Sequence, residues 1–275
     1  MAGFPTGGVL LSDVRVTFVD PRTRCVVATV DGVQKVHPVA QNLAVAFAGS
    51  VVAGFTLVED LARSLSGIEP GHVWSPAPFA NQWQRRLRGI WGQLPRNVRD
   101  AGCKLLLVGA RPATGTPFAL AHSDAYRFAA PDFELVRLPR GQATSIGSGA
   151  EVAAYRDMIE TFADEWHELA QFALQPFPGG PGGPMSVVLG ELIRDNPELT
   201  VSTQLVFCLV GARATTVHTV TSPRPELTTP PLADTLSDFH ELCRRHSLAA
   251  AAARGEGARR AGRSLPMPAV PDVER

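Results

Sequence analysis

Apolar and polar positions change their period several times along the chain, and each change marks an element. Val14 to Val19 (VRVTFV) is rich in β-branched residues and alternates in part. The turn string DPRTR follows, and Cys25 to Val30 (CVVATV) reads as a second strand, so the pair predicts a hairpin. Leu43 to Ala48 (LAVAFA) predicts another strand, ended by Gly49-Ser50. From Val51 to Ser66 the period becomes helical, with Val52, Phe55, Leu57, Val58 and Leu61 apolar. Pro76 to Trp91 predicts a second helix with proline near its start.

Strands are predicted next over Lys104 to Ala110 (KLLLVGA), Phe118 to His122 and Phe133 to Leu138. Ser148 to Glu151 has the S-x-x-E pattern of a capping box ahead of a long amphipathic run, Ala150 to Leu174. QPFPGGPGGP, Gln175 to Pro184, predicts a loop, and Met185 to Asp195 a further helix. Gln204 to Val210 and Ala214 to Val220 predict a second hairpin around Gly211. Strands, two helices, strands, two helices and strands again do not make the regular βαβα alternation of a doubly wound sheet; grouped elements point to antiparallel sheets covered by paired helices. Residues 222–231 (SPRPELTTPP) predict a linker, 232–254 an added C-terminal helix, and 255–275, rich in Arg, Pro and Gly, a disordered tail.

Composition narrows the function classes. Apolar residues make up 45% of the 275 positions and charged residues 19%, enough for an ordinary core. The formal net charge is zero, which argues against a nucleic-acid partner. The longest apolar run, Leu43 to Phe55, is too short for a membrane span, and MAGFPTGGVLL lacks the basic start of a signal peptide. Cys25, Cys103, Cys208 and Cys243 form no metal-like pairs. The first three lie in or beside apolar runs, so buried free thiols in a reducing, cytoplasmic compartment are expected. Of 26 basic side chains only two are lysines, Lys35 and Lys104. A lysine is a compact point charge that arginine does not replace.

Several strings resemble the proteasome β subunits, and most closely the HslV-type bacterial peptidases, among the N-terminal-nucleophile hydrolases. VVATVDG matches the strand that ends in an aspartate and a glycine. VQKV matches the basic segment with the catalytic lysine, AFAGS the strand end before the first helix, and IGSGAE the string before the third helix. The resemblance spans Ser12 to Val220. It implies a mixed α and β fold, the four-layer αββα sandwich of that family, as a domain over 12–221 preceded by an extension or propeptide over 1–11. It further implies a ring-forming homo-oligomer, a polypeptide substrate, an ATPase unfoldase as a possible partner, and no cofactor.

The chemistry it implies is attack by an N-terminal hydroxyl on a peptide carbonyl. A free α-amine has a pKa of about 7.7–8.0 and can serve as base for its own residue's hydroxyl. By the resemblance Ser12 stands at the nucleophile, once the preceding eleven residues are removed. Lys35 is the charge partner, Asp31 its support, the Gly49 N–H the oxyanion donor and Ser148 a supporting hydroxyl. The family also carries an aspartate and a small hydroxyl residue after its last helix; CLVGARAT lacks that aspartate. The residues alone permit plainer readings: Asp31-Gly32 as a turn, Ser148 as a helix cap, His37 as structural. Two alternative functions stay open, a catalytically inactive subunit acting in assembly or binding, and a self-processing amidohydrolase acting on a small amide.

Overall fold

The computed structural model describes residues 2–4, 7–20, 23, 25–66, 72–112, 121–139, 142–172, 182–198, 200–220 and 232–247. Short β-branched runs become strands, and stretches of helical period become helices, in the order expected for most of the chain. The N-terminal part contains β1 (Ala2–Phe4), β2 (Gly7–Asp13), β3 (Arg15–Val19), β4 (Val26–Asp31), β5 (Val36–Ala40) and β6 (Leu43–Gly49). Helices α1 (Val51–Leu65), α2 (Pro76–Gln93) and α3 (Arg96–Asp100) follow. Then come β7 (Cys103–Pro112), β8 (Ala121–Ala129) and β9 (Val136–Leu138). A 3-10 turn (Ser148–Glu151) leads into α4 (Ala153–Phe172). After it come α5 (Gly182–Asp195), β10 (Leu205–Val210) and β11 (Thr215–Val220), and a helix, α6, spans 236–247.

The fold is mixed α and β, with antiparallel sheets. A four-stranded sheet has the order β1-β2-β10-β11, a five-stranded meander the order β5-β6-β7-β8-β9, and β3 and β4 form a separate ribbon. The two larger sheets face each other. Leu10, Cys208 and Val210 from one pack with Ala44, Ala46, Leu106, Val108 and Ala125 from the other. Helices α1 and α2 lie on the outer face of the meander, and α4 and α5 on that of the four-stranded sheet. Alternation along β2 serves both interfaces: Val9 packs with Ala163 and Met185 on the helix side, while Leu10 points into the space between the sheets.

Several expectations change. Residues 7–11, read as part of an extension outside the domain, form most of β2, paired with β10 from Gly8↔Val210 to Asp13↔Leu205. A strand buried on both faces shows no alternation, so its pattern is mute. The capping box does not form: Ser148 opens the 3-10 turn, that turn carries no side-chain cap bond, and α4 starts at Ala153. Gly182 to Pro184 belong to α5, and 175–181 lie outside the described residues. The strand expected at 118–122 is found as β8, mostly beyond that window. Helix α3 was not expected, and the C-terminal helix is described only over 236–247. The linker over 222–231 and the tail over 255–275 also lie outside the described residues. Cys103 and Cys208 are buried, but Cys25 is exposed beside the ribbon's turn, and all four thiols are free. Among the described residues no helix is long and apolar enough to cross a membrane.

Candidate functional site

The site grows from a corner at the end of β2. Asp13 Oδ1 accepts the Arg15 N–H at 2.6 Å, a local side-chain turn that stops the strand. Val14, fully buried, is the corner residue, and the chain leaves as the β3–β4 ribbon. The ribbon returns at Asp31, and the N–H groups of Gly32 and Val33 both donate to the Val14 carbonyl, at 3.1 and 3.0 Å. Lys35 comes next. Its carbonyl accepts the Phe47 N–H at 3.0 Å, which lays it beside β6 two residues before Gly49.

The two ends of the ribbon base carry alternating charges. The Lys35 ammonium donates to both carboxylate oxygens of Asp13, each at 3.1 Å, with the side chains 16% and 17% exposed. Arg15 and Asp31 are register partners across the ribbon and form a bidentate pair, Nε to Oδ1 at 2.7 Å and Nη2 to Oδ2 at 2.9 Å. Arg15 Nη1 also donates to the Val201 carbonyl at 3.0 Å, and the Ser202 hydroxyl donates to Asp31 Oδ2 at 2.9 Å. Burial pushes the Asp31 carboxyl up. The Arg15 bond, the Ser202 bond and the charges of Arg15 and Lys35 outweigh it, so the carboxyl sits below its ordinary value. The bond to Asp31 raises Arg15 above its ordinary value against its own desolvation.

Asp31 is thus a member of the cluster, but its carboxylate is taken by Arg15 and Ser202. The support of the ammonium is Asp13. Asp13 lies 22 positions from Lys35, a separation that no local string bridges. Asp195 ends α5 and Ser202 follows it, ahead of β10, whereas CLVGARAT is the end of β10 and its turn.

Gly49 closes β6 with φ +95, and a Cβ there would meet the Gly102 carbonyl oxygen at 2.6 Å, so only glycine fits. Ser50 then donates its N–H to the same carbonyl at 2.8 Å and caps α1 by accepting the Ala53 N–H. Gly147 has φ +86 and abuts Ala48, a Cβ there lying 2.9 Å from the Ala48 Cβ. That contact brings Ser148 to the end of β6 that carries Gly49. The Lys35 main chain, Gly49 and the Gly147-Ser148 turn thus each lie along the last residues of β6, Phe47 to Gly49.

Ser12 is not placed as a chain terminus. It lies inside β2 opposite Val206, between Leu11 and Asp13, which are paired with Phe207 and Leu205. Its hydroxyl is buried and has no hydrogen-bond partner among the described residues. Freeing its amine would remove Val9 and Leu10, both buried, along with half of a central strand. Loss of such side chains destabilises by about 2–5 kcal/mol each even as single truncations. In this structure 7–11 belong to β2, and Ser12 is an internal residue of that strand, paired with Val206. Near the cluster, His37 is structural: 6% exposed, stacked on Phe47, edge-on to Phe55, and donating Nε2–H to the Gln34 carbonyl at 2.9 Å. Burial lowers its pKa to about 4, so the ring is neutral.

A scan against protein-family models finds no match to this chain, and no curated protein matches it. Among the described residues no group of three or more His, Cys, Asp or Glu side chains could hold a metal ion.

Proposed function

We propose that the chain is a proteasome-type αββα subunit that works in assembly or binding and does not cleave peptides. Two face-to-face antiparallel sheets flanked by two helix pairs, with the matched strings at β4, β6 and the turn before α4, support the fold reading. The functional reading is carried by one observation: Ser12 is an internal residue of a core strand. A hydroxyl without a free amine or another base beside it is a poor nucleophile. The charged cluster then acts as a clasp at the ribbon base, joining β2, β3, β4 and the segment before β10. By the same resemblance the subunit forms a homo-oligomeric ring.

The peptidase reading rests on the Lys35–Asp13 pair, which holds an ammonium as such a hydrolase would need it. One experiment separates the two. Hydrolysis of fluorogenic peptides is measured for the wild-type protein and for Ser12→Ala, alongside mass photometry. The proposal expects no Ser12-dependent turnover and an oligomeric particle. Turnover abolished by Ser12→Ala would reinstate the peptidase, and a monomer at micromolar concentration would remove the ring.

A further inference from the structure

Residues 232–236 lie along the segment that leads into Lys35. Ala233 forms a parallel β-bridge with Val33. Its N–H donates to the Gly32 carbonyl at 2.7 Å, and its carbonyl accepts the Gln34 N–H at 3.0 Å. Ala233 is 5% exposed and Val33 is fully buried. Three residues on, the Leu236 N–H donates to Glu59 Oε1 at 2.6 Å, tying the segment to α1. On the opposite side, Gly32 and Val33 are held by the Val14 carbonyl. Gly32 to Gln34 is thus an extended segment with an isolated β-bridge to Ala233 on one side and bonds to the Val14 carbonyl on the other, and the next residue is the lysine of the charged cluster. The stretch between β11 and this segment, 221–231, holds four prolines and no sheet-forming run.

We propose that 232–236 is a strap. Closed, it fixes Gly32 to Gln34 and so keeps the Lys35 ammonium on Asp13. Open, it uncovers the main-chain groups of Gly32 and Gln34, which accept an extended peptide in the same parallel register, with a small residue at the position of Ala233. Recognition is by main-chain hydrogen bonds, with selectivity from the closely covered site of the small side chain. The inference does not depend on whether the chain cleaves peptides.

The two lysines make the test internal. Lys104 is exposed and reports general reactivity, whereas Lys35 is shielded and paired. The full-length chain carrying Ala233→Glu cannot seat its strap, since a carboxylate has no place in so closed a position. Amine acetylation followed by mass spectrometry should show the Lys35 rate rising about tenfold relative to Lys104, the loss of roughly two main-chain bonds. Adding a synthetic peptide of the strap sequence, PPLADTLS, should return the rate toward wild type. A Lys35 to Lys104 ratio unchanged in a variant with wild-type circular dichroism overturns the proposal, as does a rise that the peptide does not reverse. Should Ala233→Glu fail to fold, hydrogen exchange on the wild-type protein decides. The Gln34 amide should exchange faster than the Ala110 amide, which bonds Asn42 within the meander, and equal rates overturn the strap.

Discussion

Acid should weaken this protein through His37 in a way that a single substitution exposes. The ring is neutral in the folded chain because burial lowers its pKa from 6.5 to about 4. The unfolded chain takes up a proton near 6.5, so it binds more protons than the folded chain between those values, and stability falls as pH falls through that window. Above pH 6.5 the contribution is complete, and below pH 4 it is fully lost. Each pKa unit corresponds to about 1.4 kcal/mol, so the loss is about 1 kcal/mol between pH 7.5 and 5.5 and roughly 2–3 kcal/mol by pH 4.5. His37→Gln keeps a donor near the Gln34 carbonyl but does not titrate. Its stability at pH 7.5 will be lower because the stacking on Phe47 is gone, yet its slope with pH should lack the His37 part. Urea midpoints and m-values for both proteins at pH 7.5, 5.5 and 4.5 give the difference directly, and the other titrating groups, Asp31 among them, cancel. Parallel stability curves over this range, or an imidazole pKa near 6.5 by NMR, would refute the burial argument.

Leu10→Ala, in the space between the sheets, should cost about 2–5 kcal/mol by urea unfolding, whereas a dispensable N-terminal segment would tolerate it without change. Gly49→Ala should destabilise by about 1–3 kcal/mol or more, because the backbone there has φ +95 and the Gly102 carbonyl blocks a Cβ; a near-neutral result in thermal unfolding would mean that the strand end is not held as described. Asp13→Asn leaves a partly buried ammonium poorly paired, with an expected loss of about 1–3 kcal/mol, and Asp13→Asn/Lys35→Met should recover part of it in a double-mutant cycle.

Most of the architecture was legible because it lies in elements with a clean period. LAVAFA ending at Gly49-Ser50, the Val51 helix and both hairpins, β3–β4 and β10–β11, were found within a few residues of their expected limits. What stayed hidden follows from burial and from distance. GGVLLSD has apolar residues on both of its faces and begins with two glycines, so β2 has no alternation to read, although it is a central strand. His37 and Pro38 disguise β5 in the same way. At the site, Lys35, Gly49 and Ser148 could be singled out from local strings. The carboxylate that holds the lysine could not, because the corner at Val14 and the whole ribbon separate Asp13 from Lys35 in sequence and close them in space. Asp31, four positions before Lys35, belongs instead to its cross-strand partner Arg15, a pairing that strand register decides.

Residues 7–13 form the structural strand β2, and the proposed function requires that this strand is kept rather than shed to create a terminus. Intact-mass measurement on the purified, folded protein tests it most directly. The expected result is a species that retains Val9, Leu10 and Leu11, stable on standing and across the sizing peak. A folded, oligomeric species severed between Leu11 and Ser12 would contradict it.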